Sequence, residues 1–175
     1  MDITIFDFFF VTLQPEVCER FMMLELHNVT IGQQIRGLSA TVGEGNVLII
    51  TGPKGSGKTL LLRAVLGFLP VDGGHICIDG ELLTPRSAPY FRKKMAYVPQ
   101  KLVVPDDYLE VPTDYLSLLK TAVESGKPLL IVDEASQEVG AAEMEQIDRL
   151  IQEAARRGAT VLAVNSRITD NQVQL

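Results

Sequence analysis

The most specific chemistry in this chain sits in eight consecutive residues, Gly52-Pro53-Lys54-Gly55-Ser56-Gly57-Lys58-Thr59. They fit the pattern G-x-x-x-x-G-K-[ST]. Gly52, Gly55 and Gly57 permit backbone conformations closed to other residues, so successive N–H groups can point at phosphate oxygens. A helix beginning after Gly57 adds the positive end of its dipole. Lys58 brings a full charge toward the β- and γ-phosphates, and the Thr59 hydroxyl is an oxygen ligand suited to Mg²⁺. The loop therefore predicts ATP as ligand, with Mg²⁺ as its companion ion.

A second constellation lies downstream. Leu129-Leu130-Ile131-Val132-Asp133-Glu134 ends an apolar run in two carboxylates. In phosphate-loop enzymes an Asp at this place helps to hold Mg²⁺, directly or through water. Glu134, one residue on, is placed to orient or deprotonate a water attacking the γ-phosphate. An acidic pair alone also fits an ordinary strand-to-loop junction, and it is the glycine loop upstream that favours the functional reading. His75 and Cys77 lie two apart on one strand face, but two ligands without a third do not make a metal site. His27 reads as a surface strand residue. Cys18 has only Arg20 as a basic neighbour, which gives no reason for a reactive thiol.

These residues need elements to position them. Leu24 to Ile31 alternates apolar and polar residues as a half-buried strand does, and Ile35 to Val42 repeats the pattern. Gly43-Glu44-Gly45-Asn46 reads as a turn. Val47 to Ile50 is continuously apolar, the mark of a strand covered on both faces, and it feeds the glycine loop. Thr59 to Phe68 predicts a helix with Leu61, Leu62, Val65 and Leu66 inward and with Gly67 and Pro70 as stop signals. Short strands follow at His75 to Ile78 and Met95 to Val98, the latter leading into Pro99-Gln100, and the basic trio Arg92-Lys93-Lys94 reads as a solvated edge where the chain enters that strand. Tyr108 to Ser125 is expected to be helical in its second half, with Tyr115, Leu118, Leu119 and Ala122 on one face. Leu129 to Val132 and Thr160 to Val164 are two further buried strands. Between them Ala141 to Arg157 is amphipathic, with Met144, Ile147, Leu150, Ile151 and Ala154 at helical spacing and Gly158 after the end. Strands alternating with helices imply a mainly parallel sheet, and the early strand cluster implies a small antiparallel addition, giving an α/β phosphate-loop fold.

The bulk numbers bound the function. At 175 residues the chain suits one domain. A net charge of -6 argues against a broad nucleic-acid surface, so Tyr90, Phe91 and Tyr97 near the basic trio are not read as a nucleic-acid site. Two cysteines provide neither a disulfide framework nor a four-thiolate zinc site, which suits a reducing, cytoplasmic setting. No apolar run is long enough to span a membrane. Residues 1–22 carry Asp2 and Asp7 and no basic n-region, so they do not read as a secretory signal. Two readings of this N-terminal extension stand open: an edge strand followed by a short helix near Pro15 to Arg20, or a start-site artefact ahead of a domain that reads complete from Met23.

Taken together the chain resembles the nucleotide-binding domain of the ATP-binding cassette (ABC) ATPases over Leu24 to about Ser166. The likeness rests on Leu24-Glu25-Leu26-His27-Asn28-Val29, the loop Gly52 to Thr59, Gly73 to Gly80, Met95-Ala96-Tyr97-Val98-Pro99-Gln100, Leu129 to Glu134, and Thr160 to Val164, in that order. The resemblance implies an ABC-type domain over residues 23–175. It implies that Gln100 touches the metal or the attacking water, so that Thr59, Gln100 and Asp133 form the Mg²⁺ set and Glu134 is the catalytic base. It also implies two partners, a membrane-embedded transporter subunit and a second nucleotide-binding domain, which would hold the chain at the inner face of the membrane.

Four departures qualify the resemblance. No Leu-Ser-Gly-Gly-Gln-like signature is present, and only 33 positions separate Gln100 from Asp133, so the helical subdomain around residues 101–127 is truncated. Tyr115 to Lys120 contains a Leu-Ser pair but no glycines. Asn165-Ser166-Arg167 stands where the switch histidine is expected. The adenine-stacking aromatic is replaced near Ile31, and Ser136 to Gly140 lacks the usual acidic end of its loop. In the family two domains sandwich ATP and each completes the other's site, so a homodimer of this chain would lack signature donors on both sides. Losing one preorganised donor costs ~10²-fold or more in rate. The expectation is an ATP-binding transporter subunit with slow or partner-dependent hydrolysis. The alternatives are a regulatory nucleotide-binding module with little turnover, or an ABC protein that works without a membrane partner.

Overall fold

The computed structural model describes residues 23–101, 114–134, 140–165 and 173–174. Two sheets organise them. The first is antiparallel and is built from β1 (Leu24–Ile31), β2 (Ile35–Val42), β4 (Gly73–Ile78) and β5 (Glu81–Leu82), in the order β2-β1-β4-β5. The second is parallel in every pairing and contains β3 (Val47–Thr51), β6 (Met95–Val98), β7 (Leu129–Val132), β8 (Thr160–Asn165) and β9 (Val173–Gln174), in the order β6-β7-β8-β3-β9. Four helices accompany them: α1 (Lys58–Val65), α2 (Ala88–Lys93), α3 (Tyr115–Glu124) and α4 (Ala141–Arg156).

The alternation of side chains along the parallel strands divides the core in two. Leu129 and Ile131 of β7, with Leu162 and Val164 of β8 and Ile50 of β3, join a cluster with Leu61, Leu62 and Val65 of α1 and the inward residues of the antiparallel sheet. Leu130, Val132, Val161 and Ala163 point the other way, against Leu119 and Val123 of α3 and Ile147, Ile151 and Ala154 of α4. The parallel sheet is thus covered on both faces, as its continuous apolar strands require. In β1 the pattern is one-sided: Leu24, Leu26, Val29 and Ile31 are buried while His27 and Asn28 face solvent.

Local sequence accounts for where elements begin and end. Asp114 caps α3, its carboxylate accepting from the Ser117 N–H at 2.8 Å. Glu143 reaches back to the Gly140 N–H at 3.1 Å and closes the start of α4. α1 ends at a Leu66 cap, after which Gly67 adopts φ 71. The chain turns at Gly43 to Asn46, where the Asn46 N–H donates to the Gly43 carbonyl at 3.1 Å.

Most expected elements are present, and three short ones had no counterpart in the sequence reading: β5, α2 and β9. The basic trio leads directly into β6 as read from the sequence, with Lys93 exposed, but Arg92 and Lys93 also close helix α2, and Arg92 is half-buried. The Arg92 guanidinium donates to the Leu66 carbonyl at 3.1 Å and lies 4.8 Å from the Phe68 ring centroid, so it ties α2 to the end of α1. The expectations for residues 1–22, for the start of the Tyr108 to Ser125 segment, and for Ser136 to Val139, Ser166 and Arg167 fall outside the described residues.

Candidate nucleotide-binding site

Parallel strands present all their carboxyl ends at one edge, and open α/β sheets place ligands outside that edge. Here the edge gathers the phosphate loop after β3, Gln100 two residues beyond β6, Asp133 and Glu134 directly after β7, and Asn165 at the end of β8. β7 and β3 are not neighbours; β8 lies between them. The site is therefore assembled by the strand order, from segments far apart in sequence.

The loop itself is shaped by two left-handed residues, Gly55 with φ 88 and Gly57 with φ 98. At Gly57 space is also tight, because a Cβ there would lie 2.9 Å from Gln34 Cβ and 3.0 Å from Ile35 Cγ1. The antiparallel sheet thus packs directly on the loop through β2. The Ser56 N–H donates to the Pro53 carbonyl at 3.2 Å, and the helix begins as the Leu61 N–H donates to Gly57 at 2.9 Å. The first helical N–H groups, from Lys58 onward, have no carbonyl one turn before them and remain directed at whatever the loop holds.

Lys58 and Asp133 are the two buried charged side chains among the described residues, 7% and 4% exposed. Burying charge is costly unless the group is well hydrogen-bonded. The Lys58 ammonium donates to the Gly52 carbonyl at 2.6 Å and to the Pro53 carbonyl at 3.0 Å, and lies 3.9 Å from a Glu134 carboxylate oxygen. Asp133 is held by several donors. One oxygen accepts from the Glu134 N–H at 2.9 Å, and the other lies 3.5 Å from both the Thr59 hydroxyl and the Tyr97 hydroxyl. Burial pushes the Asp133 carboxyl above its ordinary range, opposed chiefly by the Glu134 N–H and then by the Tyr97 and Thr59 hydroxyls.

Two tyrosines complete this arrangement. Tyr97 projects from β6, and Tyr115 from the first turn of α3, where its hydroxyl donates to the backbone carbonyl of Asp133. Burial, followed by the charges of Asp133 and Glu134, drives the Tyr115 phenol well above its ordinary range, so it stays a neutral donor. The sequence places Tyr97 in the strand segment that ends at Gln100, near the basic trio, and Tyr115 on a helix face, and assigns neither to the nucleotide site. Nothing in their spacing signals contact with Asp133, since it depends on β6 lying beside β7 and on α3 packing against both.

The donors fit the groups expected here. Thr59 and Asp133 offer oxygens to one place, and hard oxygen ligands are what Mg²⁺ takes. Ser56 Oγ is buried with no hydrogen-bond partner among the described residues, as suits a hydroxyl whose partner is a bound phosphate. Gln100 is exposed at the same edge of the sheet. Ile31, where an adenine-stacking aromatic was expected, is buried in the core next to the hairpin turn.

The model of the ABC transporter family matches residues 35–166, and the chain belongs to that family. Within it, the chain is an ATP-binding domain with the phosphate-loop ABC fold. The chain is 38% identical over 69 residues to the sulfate/thiosulfate import ATP-binding protein CysA of Methylococcus capsulatus, covering 37% of this chain and 20% of that protein. It is 46% identical over 44 residues to the cytochrome c biogenesis ATP-binding export protein CcmA of a Chelativorans species, covering 25% of this chain and 22% of that protein. These matched stretches thus span about a fifth of each curated relative. Among solved structures, the ATP-binding subunit of an ABC transporter superposes with a TM-score of 0.66 at 16% identity, over 82% of this chain and 79% of that one. Among the described residues no helix is long and apolar enough to cross a membrane.

Proposed function

We propose that this chain is the ATP-binding subunit of an ABC-type transporter, with residues 23–175 forming the domain and a shortened helical subdomain around 101–127. One observation carries the reading: Lys58 and Asp133, the buried charges among the described residues, lie at the carboxyl edge of the parallel sheet, with the Thr59 hydroxyl 3.5 Å from the Asp133 carboxylate. Gly52, Pro53, Lys54, Gly55, Ser56 and Gly57 form the cradle for the phosphates, its backbone N–H donors coming from the residues other than Pro53, and Lys58 neutralises the bound charge. Thr59, Asp133 and Gln100 are the ligands for Mg²⁺, which when bound offsets the negative charge of the transferring phosphoryl group. Glu134 is the base that orients or deprotonates the attacking water. Its place 3.9 Å from Lys58 Nζ keeps it at the same end of the site. Tyr115 fixes the Asp133 main chain, so both carboxylates hold their direction.

Efficient turnover calls for a second nucleotide-binding domain that brings its own signature segment, because this chain has none between Gln100 and Asp133. A membrane-embedded subunit is the other partner, and its cargo and direction lie outside this reading. The short, signature-free middle segment also favours a second reading, a regulatory module that binds ATP and barely hydrolyses it. Hydrolysis measured with Glu134→Gln separates the two. A fall of ~10²-fold or more supports the catalytic role, and turnover unchanged by the substitution leaves the regulatory module standing.

A further inference from the structure

The outer face of the antiparallel sheet carries a cluster that the nucleotide site does not use. β1 and β4 run antiparallel with Glu25 opposite Cys77 and His27 opposite His75. Residues two apart on a strand share a face, and so do residues directly opposite, so these four side chains form a square on one side of the sheet. Their neighbours Leu24, Leu26, Ile76 and Ile78 are buried on the other side. The ligand atoms of His27, His75 and Cys77 all lie within 4.8 Å of one another. The two imidazoles stack, 4.6 Å between centroids and 21° between planes, and the Cys77 thiol is free and half-buried beside them. Glu25 lies behind: its carboxylate is 2.9 Å from His27 Nε2.

We propose that His27, His75 and Cys77 are the ligands of a divalent transition-metal site, of which zinc is the best-matched ion, spanning β1 and β4. The donor set decides the class. Two imidazoles and a thiolate suit borderline-soft ions such as Zn²⁺ and Co²⁺, whereas Mg²⁺ takes oxygen and belongs at Asp133. Bond lengths of about 2.0–2.1 Å to nitrogen and about 2.3 Å to sulfur put the tetrahedral donors of this set roughly 3.3–3.6 Å apart. Closing from 4.8 Å needs rotation of side chains only, and both histidines are exposed enough to turn. With Nε2 engaged by Glu25, His27 ligates through Nδ1, and the carboxylate fixes the ring as outer partners of metal-bound histidines do. The Cys77 proton leaves to solvent as the thiolate binds. Three protein ligands leave a fourth position for water. A stacked pair of histidines kept only for packing would require neither the thiol opposite Glu25 nor the carboxylate on the ring.

Cobalt titration of the untagged full chain, followed by visible absorption, tests the site, with zinc as competitor. The expected result is saturation at about one equivalent, with a sulfur-to-cobalt charge-transfer band that zinc abolishes. Cys77→Ser removes the band and weakens binding at least ~tenfold, His27→Ala and His75→Ala weaken it comparably, and Glu25→Gln weakens it less. ATP binding retained in each variant certifies that it is folded. Failure to saturate, saturation without a thiolate band, or a band that survives Cys77→Ser overturns the proposal.

Discussion

The two sheets use the same building material in opposite ways. The parallel sheet is packed over on both faces, so apart from Tyr97 on β6 the strands β3, β6 and β7 carry their site residues past their ends, at Lys58, Gln100, Asp133 and Glu134. The antiparallel sheet is dry on one face only, so β1 and β4 carry it along their length, at Glu25, His27, His75 and Cys77. In the first, charges are buried and each needs several partners; in the second, polar groups stay wet and need few. A site at strand ends depends on the order of several strands, whereas a site across a strand pair depends on one adjacency and its register.

That difference is broken most directly at Lys58. Lys58→Ala removes a buried ammonium that serves the phosphates, and ATP affinity falls roughly 10²-fold, read by calorimetry or a fluorescent nucleotide. Cobalt binding to the same variant stays at the wild-type level. His75→Ala produces the mirror image, and a variant that impairs both ligands would mean that the two sheets do not act independently.

Gly57→Ala probes the place where the sheets meet. A Cβ at φ 98, 2.9 Å from Gln34 Cβ, costs backbone strain and displaces β2. The expected loss is about 2 kcal/mol of stability in urea denaturation, with nucleotide binding weakened as well. A neutral outcome would show that the loop and β2 separate readily.

How much of this was legible in the sequence follows from the same contrast. The strands Leu24–Ile31, Ile35–Val42, Met95–Val98 and Leu129–Val132 match the sequence reading residue for residue, because period-two alternation and unbroken apolar runs are direct records of which faces are covered. The phosphate loop was legible because its glycines and lysine are contiguous. The Thr59–Asp133 approach was inferable from the shared Mg²⁺ role that the phosphate loop and a carboxylate at a strand end imply, whereas the Tyr97 and Tyr115 contacts were not legible at all, since the adjacency of β6 and β7 and the packing of α3 create them. His27 was read as an ordinary surface residue because the β1–β4 register that sets it opposite His75 is not written in either strand. α2 leaves no mark in the sequence because it is six residues long, too short for a periodic signal.

Tyr115→Phe is a smaller test of the strand-end site. It removes the hydroxyl that donates to the Asp133 carbonyl and leaves the ring in place. About 1 kcal/mol of stability is expected to go, measured by denaturant midpoint, together with a rise in the Mg²⁺ concentration needed for half-maximal ATP binding. A change in stability without any change in Mg²⁺ dependence would make Tyr115 a packing residue.

The smallest effect is also the most diagnostic, because its sign depends on pH. Burial raises the Asp133 carboxyl above its unfolded value, so its contribution to folding is fully present below the unfolded range and is lost as pH rises through the folded one. Ionised Asp133 therefore costs stability at neutral pH. Asp133→Asn removes the charge, keeps an oxygen for the Glu134 N–H, and leaves the Thr59 and Tyr97 hydroxyls free to turn. The variant should be more stable than wild type near pH ~7, by a few tenths to about 1 kcal/mol, and the gap should close near pH ~4. Its Mg²⁺-dependent nucleotide binding should be lost at both. Wild-type binding should itself weaken on acidification sooner than an ordinary carboxylate would dictate. A variant less stable than wild type at neutral pH would mean that the donors around Asp133 outweigh its burial, and the carboxylate would then be a structural anchor before it is a metal ligand.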